Sequence, residues 1–266
     1  MKLLCLALLL AAQLVGGTAA LAASFDEVKK EAKHGEKTAQ FELGSRYSRG
    51  EGVAPDEDEA FRWFKKSAEQ GYAPAQNILG LMYANGAGTK QDYALARRWL
   101  EKAAAQNYPG AQYNLGRLYV EGLGVKQDYA KARAYWEKAA AEGEDTAQYA
   151  LGNLYANGWG VPQDDAKARD WWEKAAAQLN LYALHNLGYL HYEGRGVKQD
   201  YAKARAYWEK AANDGFFASQ MYLGTLYEEG KGVKRDPFKA RHWYDRACQQ
   251  GCEEGCERSA RLAGAR

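Results

Sequence analysis

Histidine, cysteine and a recurring aspartate are the residues of this sequence that are best suited to chemistry. The four histidines are scattered along the chain, at His34, His185, His191 and His242. On a helix of about 3.6 residues per turn, His191 follows His185 after a rotation of about 240° around the axis, so the two do not form a metal pair on one face. H-E-x-x-H, G-x-S-x-G and G-x-x-x-x-G-K motifs do not occur in the sequence. We therefore predict ordinary core or surface histidines, with no metal, no cofactor and no catalytic residue assigned.

The recurring aspartate occurs at a fixed spacing of 36 residues. It is found at Asp56, Asp92, Asp128, Asp164, Asp200 and Asp236. Six identical active sites are less plausible than six identical helix starts, and an aspartate side chain readily accepts hydrogen bonds from the free amides of a first helical turn. The pattern therefore predicts six helix N-caps.

The chain begins with a segment typical of export. Met1 and Lys2 lead into the apolar run LLCLALLLAAQLV, and small residues follow with an Ala-x-Ala pattern that ends at Ala22. This order predicts a signal peptide over 1–22, cleaved after Ala22 or Ala23. An uncleaved anchor is the alternative, but the apolar run is shorter than the roughly 20 residues of a membrane span. We expect a periplasmic or secreted mature chain without a transmembrane segment.

The distribution of charged residues does not indicate a particular class of binding partner. The net charge of +2 is the remainder of 36 basic and 34 acidic residues, which are mixed along the chain. No basic block typical of nucleic-acid binding stands out, so no nucleic-acid partner is expected.

A strict internal repeat dominates the remaining sequence. The segment GVKQDYAKARAYWEKAA at 124–140 returns unchanged at 196–212, and a Leu-Gly pair recurs every 36 residues from Leu43 to Leu223. Such a period indicates a solenoid, in which each unit buries its apolar face against its neighbours. The predicted units are 39–74, 75–110, 111–146, 147–182, 183–218 and 219–254. We expect a capping helix over 23–38 and a carboxyl-terminal cap fragment over 255–266.

Each unit has the spacing of two helices. Ala111, Leu115 and Leu118 lie on one apolar face of a first helix, and Gly122 is suited to end it. A second helix follows the aspartate and carries alanines and a tryptophan on its buried side. The tryptophans that recur with the period, within one residue, are predicted to be structural: Trp63, Trp99, Trp136, Trp172, Trp208 and Trp243.

The unit AQYNLGRLYVEGLGVKQDYAKARAYWEKAAAEG resembles a SEL-one-like repeat, a relative of the tetratricopeptide repeat. The resemblance covers nearly the whole mature chain. It implies an all-α, right-handed α/α solenoid with a curved surface that holds other proteins, and hence an exported interaction scaffold that binds a protein or peptide on its concave face. The cysteine-rich branch of the family implies an alternative, a weak β-lactam-binding or β-lactamase-like hydrolase. Five of the six positions that match Cys248 hold alanine here, so enzyme activity stays an open question.

The resemblance also bears on the cysteines. Cys248, Cys252 and Cys256 remain after signal cleavage, an odd number. The spacing of Cys248 and Cys256 is similar to the clasp between helices in the cysteine-rich relatives. We therefore expect a disulfide between these two residues and leave Cys252 as the odd thiol.

The binding surface is expected where the units differ. Places three and seven of the unit share one face of the first helix, and in related repeats this face lines the groove. The predicted protein-binding groove consists of Tyr113, Arg117, Tyr149, Asn153, His185, Tyr189 and Tyr192. Tyrosine and arginine are residue types that anchor interfaces. The alternative is that these aromatic residues pack between adjacent first helices as part of the core.

Overall fold

The computed structural model describes residues 23–264, and the predicted signal peptide lies outside this range. The described residues form fourteen helices and no strand. The helices are α1 (Phe25–Lys33), α2 (Lys37–Arg49), α3 (Glu57–Glu69), α4 (Ala73–Asn85), α5 (Tyr93–Ala104), α6 (Pro109–Glu121), α7 (Tyr129–Ala141), α8 (Asp145–Asn157), α9 (Asp165–Ala177), α10 (Leu181–Glu193), α11 (Tyr201–Asn213), α12 (Phe217–Glu229), α13 (Pro237–Gln249) and α14 (Glu253–Gly264). None of the helices within 23–264 has the length and apolar composition of a bilayer span.

The chain enters and leaves each helix as the repeated residues predict. All six recurring aspartates are N-caps of second helices, and the Asp128 carboxylate, for example, accepts a hydrogen bond from the Lys131 amide at 3.0 Å. The first helices α2, α4, α6, α8, α10 and α12 each end at a glycine in the left-handed conformation, such as Gly158 with φ 66°. The two signals fix where each helix of a pair starts and stops.

The first and second helices of a unit pack closely because a glycine of the first helix faces a large side chain of the second. Gly152 lies against Trp172, and Gly188 lies in the same way against Trp208. Any Cβ at these glycines would overlap the indole ring. The all-α helix-pair solenoid expected from the sequence is thereby confirmed, with α1 before the first pair and α14 after the last.

The recurring tryptophans occupy two adjacent positions of the second helix, and the structure shows that these positions differ in their surroundings. The position that faces the glycine holds Phe64, Leu100, Trp136, Trp172, Trp208 and Tyr244, all buried. Trp99 and Trp243 lie one residue earlier and are half-buried, with Lys102 Nζ 3.9 Å from the centre of the Trp99 ring. One residue turns a helix by about 100°, so these two tryptophans lie away from the centre of the core, whereas Trp63, at the same position of the first unit, is buried.

The carboxyl-terminal helices are joined by a disulfide. Cys248, near the end of α13, is bonded to Cys256 in α14, and their Cα atoms are 4.7 Å apart. Cys252 lies between the two helices and is a free thiol. The bond joins the last two helices of the described residues.

Candidate protein-binding site

Tyr113 and Arg117 lie on α6 in different surroundings. The Tyr113 ring stacks on Trp136 with centroids 6.4 Å apart, and burial raises the pKa of its hydroxyl. The Tyr113 carbonyl accepts a hydrogen bond from the Trp136 indole at 3.0 Å. Arg117 is more exposed and pairs with Glu121 of its own helix at 3.4 Å. Tyr113 thus contributes mainly to packing, while Arg117 remains at the surface.

His185 and Tyr192 also pack within the solenoid. His185 Nδ1 lies 3.0 Å from Ser219 Oγ, and the imidazole contacts Phe216 and Tyr222. Burial lowers the pKa of His185 to about 4, so this side chain is neutral near pH 7. The Tyr192 ring packs on Trp208 with centroids 5.5 Å apart. For these two residues the structure has the packing between helices that was the alternative to a binding role.

Two parallel first helices, α8 and α10, meet through matched side chains. The Tyr149 ring of α8 lies against the Tyr182 ring of α10, with centroids 5.6 Å apart. One turn further along, Asn186 Nδ2 donates a hydrogen bond to Asn153 Oδ1 at 3.2 Å. Tyrosine therefore meets tyrosine and asparagine meets asparagine across the seam between two units.

A pocket of about 170 Å³ follows the asparagine pair. It is lined by Asn153, Ala156, Asn157, Asp165, Trp172, Asn186, Tyr189, Leu190 and Arg195. Arg195, in the loop after α10, pairs with Asp165 at the start of α9 at 2.8 Å. The walls of the pocket thus combine polar and apolar residues, and their two charges are paired with each other.

The hydrogen bonds at Asn153 fix the orientation of both amides. The Trp172 indole nitrogen can only donate, and it lies 3.2 Å from the Asn153 side chain, so the atom it meets must be Oδ1. Asn186 must then present Nδ2 to the same oxygen. Within residues 23–264, Asn153 Nδ2 has no hydrogen-bond acceptor and Asn186 Oδ1 has no donor. One donor and one acceptor remain available side by side.

Exposed apolar side chains occur near Tyr182, which follows Leu179 by three residues and contacts the ring of Phe216, the neighbour of Phe217. Leu179 occupies the place of the glycine that ends most second helices, and it keeps a left-handed φ of 63°. This conformation costs a non-glycine residue about 1–2 kcal/mol. Leu179 is 62% exposed, Tyr182 58% and Phe217 49%. Burial in the core therefore explains none of the three side chains.

The structure brings together only part of the predicted groove. Asn153 and Tyr189 line the pocket, Tyr149 lies next to it, and Tyr113, His185 and Tyr192 mostly pack against their neighbours. The sequence reasoning missed Asn157, Asp165, Tyr182, Asn186 and Arg195. Asn186 and Tyr182 could have been found as polar or aromatic departures from the repeat within seven residues of Leu179. The Arg195–Asp165 pair joins residues 30 positions apart, and no periodic pattern indicates it.

Helix pairs stacked in tandem, with a polar pocket on the first helices, define the molecule as an α/α repeat protein. The Sel1 repeat family model matches residues 37–72, 73–108, 109–144, 145–178, 181–216 and 218–252. The protein therefore belongs to the Sel1 repeat family. Between consecutive matches the family model leaves out residues 179–180, where Leu179 replaces glycine, and residue 217.

Solved structures agree with this assignment. A Sel1 repeat protein from Oxalobacter formigenes is 32% identical, with a TM-score of 0.78 over 85% of this chain and 98% of its own. The antigen c5321 of uropathogenic Escherichia coli, which has an SLR fold, is 36% identical with a TM-score of 0.59; the match covers 90% of this chain and 59% of c5321. The immunity protein Pa5087 from Pseudomonas aeruginosa shares the fold at 19% identity, with a TM-score of 0.56 over 80% of this chain and 81% of its own. The comparison with curated proteins gave no match.

Proposed function

We propose that this protein is an exported interaction scaffold that binds a protein or peptide on the concave face, along its first helices. Sel1 repeat proteins are generally protein-interaction scaffolds, and the family assignment supports the general role. The pocket between α8 and α10 is the observation that favours this particular surface. It combines unused hydrogen-bonding groups of Asn153 and Asn186 with exposed aromatic area at Tyr182.

The seven predicted residues contribute unequally to this proposal. Asn153, Tyr189 and Tyr149 are placed to contact a partner directly, and Arg117 offers a charge on the neighbouring first helix. The packed residues Tyr113, His185 and Tyr192 keep the helices in register. Because the surface is built on rigid helices, binding a partner costs little conformational entropy on this side of the interface.

The test is affinity capture from an envelope extract, followed by mass spectrometry. The bait is the mature chain, and the variant changes Tyr149 and Tyr189 to alanine together. We expect the variant to stay folded and to lose the proteins that the parent enriches. Phe238→Ala is the matched control, because Phe238 is 81% exposed on the second helix α13. Equal capture by the parent and the double variant would remove the groove from the proposal.

Export is a separate part of the proposal, supported by the amino-terminal sequence pattern alone. The full chain should be produced with its first 22 residues and the mature product analysed by intact mass. A new amino terminus at Ala23 or Ser24 is expected. A product that retains Met1 in a membrane fraction would show that the segment is an anchor.

The hydrolase alternative is tested on the same purified protein. With a chromogenic β-lactam we expect no turnover above that of a heat-denatured control. Turnover that follows the folded protein through purification would move the hydrolase ahead of the scaffold.

A further inference from the structure

We propose that the seam between α8 and α10 binds an extended, uncharged segment of polypeptide that runs along the helix axes. The proposal rests on the proposed function and deepens it, because it names the form and chemistry of the partner. The seam is defined here as Tyr149, Asn153 and Asn157 of α8 with Tyr182, Asn186 and Tyr189 of α10. Three of these six residues, Asn157, Tyr182 and Asn186, were not part of the groove predicted from the sequence.

The spacing of the seam matches an extended chain. Tyr149, Asn153 and Asn157 are four residues apart, which places successive side chains about 6 Å apart along a helix. Side chains on one face of an extended chain repeat about every 6.6–6.8 Å. A helix of 13 residues such as α8 is about 20 Å long, which is the reach of about six extended residues.

The middle of the seam has the chemistry of a peptide group. Asn153 Nδ2 is free to donate and Asn186 Oδ1 is free to accept, because the Trp172 indole fixes the orientation of both amides. In an extended chain the N–H and the C=O of one residue point to the same side, so the backbone of a single bound residue can satisfy both groups at once. A lone carboxylate would satisfy only Asn153, and an ammonium group would satisfy only Asn186.

The two ends of the seam select side chains. At one end, the partly buried Tyr149 ring and the exposed Tyr182 ring lie against each other and can cover an apolar side chain. At the other end, the 170 Å³ pocket can hold one side chain of modest size. Arg195 and Asp165 neutralise each other at its wall, so the pocket offers no unmatched charge to an ionised residue.

A second asparagine pair in the chain has different surroundings from the pair in the seam. In the third unit, the asparagine that corresponds to Asn186 is Asn114, which is buried and donates to Asn77 at 2.9 Å. The pair around Asn153 is instead only partly buried and opens on a pocket. An asparagine pair that served packing alone would resemble the first arrangement.

The experiment measures the binding of labelled heptapeptides with acetylated amino and amidated carboxyl ends by fluorescence polarisation. Three pools are compared: one of uncharged residues, one with acidic residues and one with basic residues. We expect the uncharged pool to bind best. Stronger binding of either charged pool would overturn the inference while leaving an interaction scaffold intact.

The decisive variant is Asn153→Asp. It keeps an acceptor for the Trp172 indole but removes the free Nδ2 donor, and we expect binding of the uncharged pool to weaken about ten-fold or more. Asn213→Asp makes the same charge change at the exposed end of the second helix α11 and should leave binding unchanged. Thermal melting shows whether each variant is folded. Unchanged binding by folded Asn153→Asp would refute the role of the peptide group.

A second variant covers the case in which Asn153→Asp unfolds. Tyr182 is more than half exposed, so Tyr182→Ala should fold normally and weaken binding of the uncharged pool several-fold. If no pool binds although the capture experiment yields a partner that depends on Tyr149 and Tyr189, the inference fails and the scaffold proposal stands. If both experiments fail, the proposed function fails with it.

Discussion

Adding one methyl group at Gly152 tests the packing that holds each helix pair together. In an exposed helix, Gly→Ala stabilises by about 1 kcal/mol because alanine loses less backbone entropy. Gly152 is buried, and an added Cβ would overlap the Cδ1 and Nε1 atoms of Trp172. The Trp172 indole also donates to Asn153 at 3.2 Å, so the ring cannot move away without breaking that hydrogen bond.

The expected magnitude follows from these opposing effects. Overpacking a core costs about 1–3 kcal/mol, and loss of a hydrogen bond costs about 0.5–1.5 kcal/mol. Set against the gain of about 1 kcal/mol in helix propensity, Gly152→Ala should destabilise the fold by about 2 kcal/mol. For a chain of this size this corresponds to a melting temperature lower by about 4–8 °C.

Gly44→Ala provides a graded control at the same position of the first unit. There the added Cβ would lie 3.0 Å from Phe64 Cδ1, a contact that a small shift of the ring can relieve. We expect this variant to be nearly neutral, because the relief and the propensity gain offset each other. Circular dichroism melts and denaturant titrations of both variants are the assays. If Gly152→Ala proved as stable as the parent, the reasoning about glycine and tryptophan would be wrong.

Three other predictions concern the core, the disulfide and pH. Trp136→Ala should lower the free energy of unfolding by about 3–5 kcal/mol because Trp136 is buried, and Trp99→Ala should lower it clearly less because Trp99 is half-buried. Denaturant titration measures both values. Equal losses would contradict the separation of the two positions. Reducing the Cys248–Cys256 bond should lower the stability of the carboxyl-terminal helices by about 2–3 kcal/mol. Hydrogen exchange should then become faster in these helices alone. Faster exchange throughout the chain would contradict the prediction. His185 should make the free energy of unfolding fall as the pH drops from about 6.5 towards 4, because the unfolded chain gains a proton in this range and the folded chain does not. The total loss is at most about 3 kcal/mol. His185→Gln should flatten this pH dependence, as measured by urea titration at a series of pH values.

The sequence alone was sufficient for the fold because the signals for it are local and repeated. An aspartate cap acts on amides two or three residues away, and a glycine ends a helix through its own φ angle. These short-range interactions recur with the 36-residue period, so each copy supports the same interpretation. The pairing of Cys248 with Cys256, expected from the resemblance, likewise joins residues only eight positions apart.

The seam between α8 and α10 depends on contacts that no local pattern encodes. Asn153 and Asn186 are 33 residues apart and meet only because α9 returns the chain between α8 and α10. Trp63 and Trp99 occupy the same position of their units, yet Trp63 is buried and Trp99 is only half-buried, which the repeat pattern does not distinguish. Side-chain exposure and cross-unit hydrogen bonds depend on how neighbouring helices are placed, and this placement results from the packing of the whole stack. The sequence therefore determined the helix pairs and their order, whereas the tertiary structure decided which first-helix residues pack against neighbours and which remain exposed.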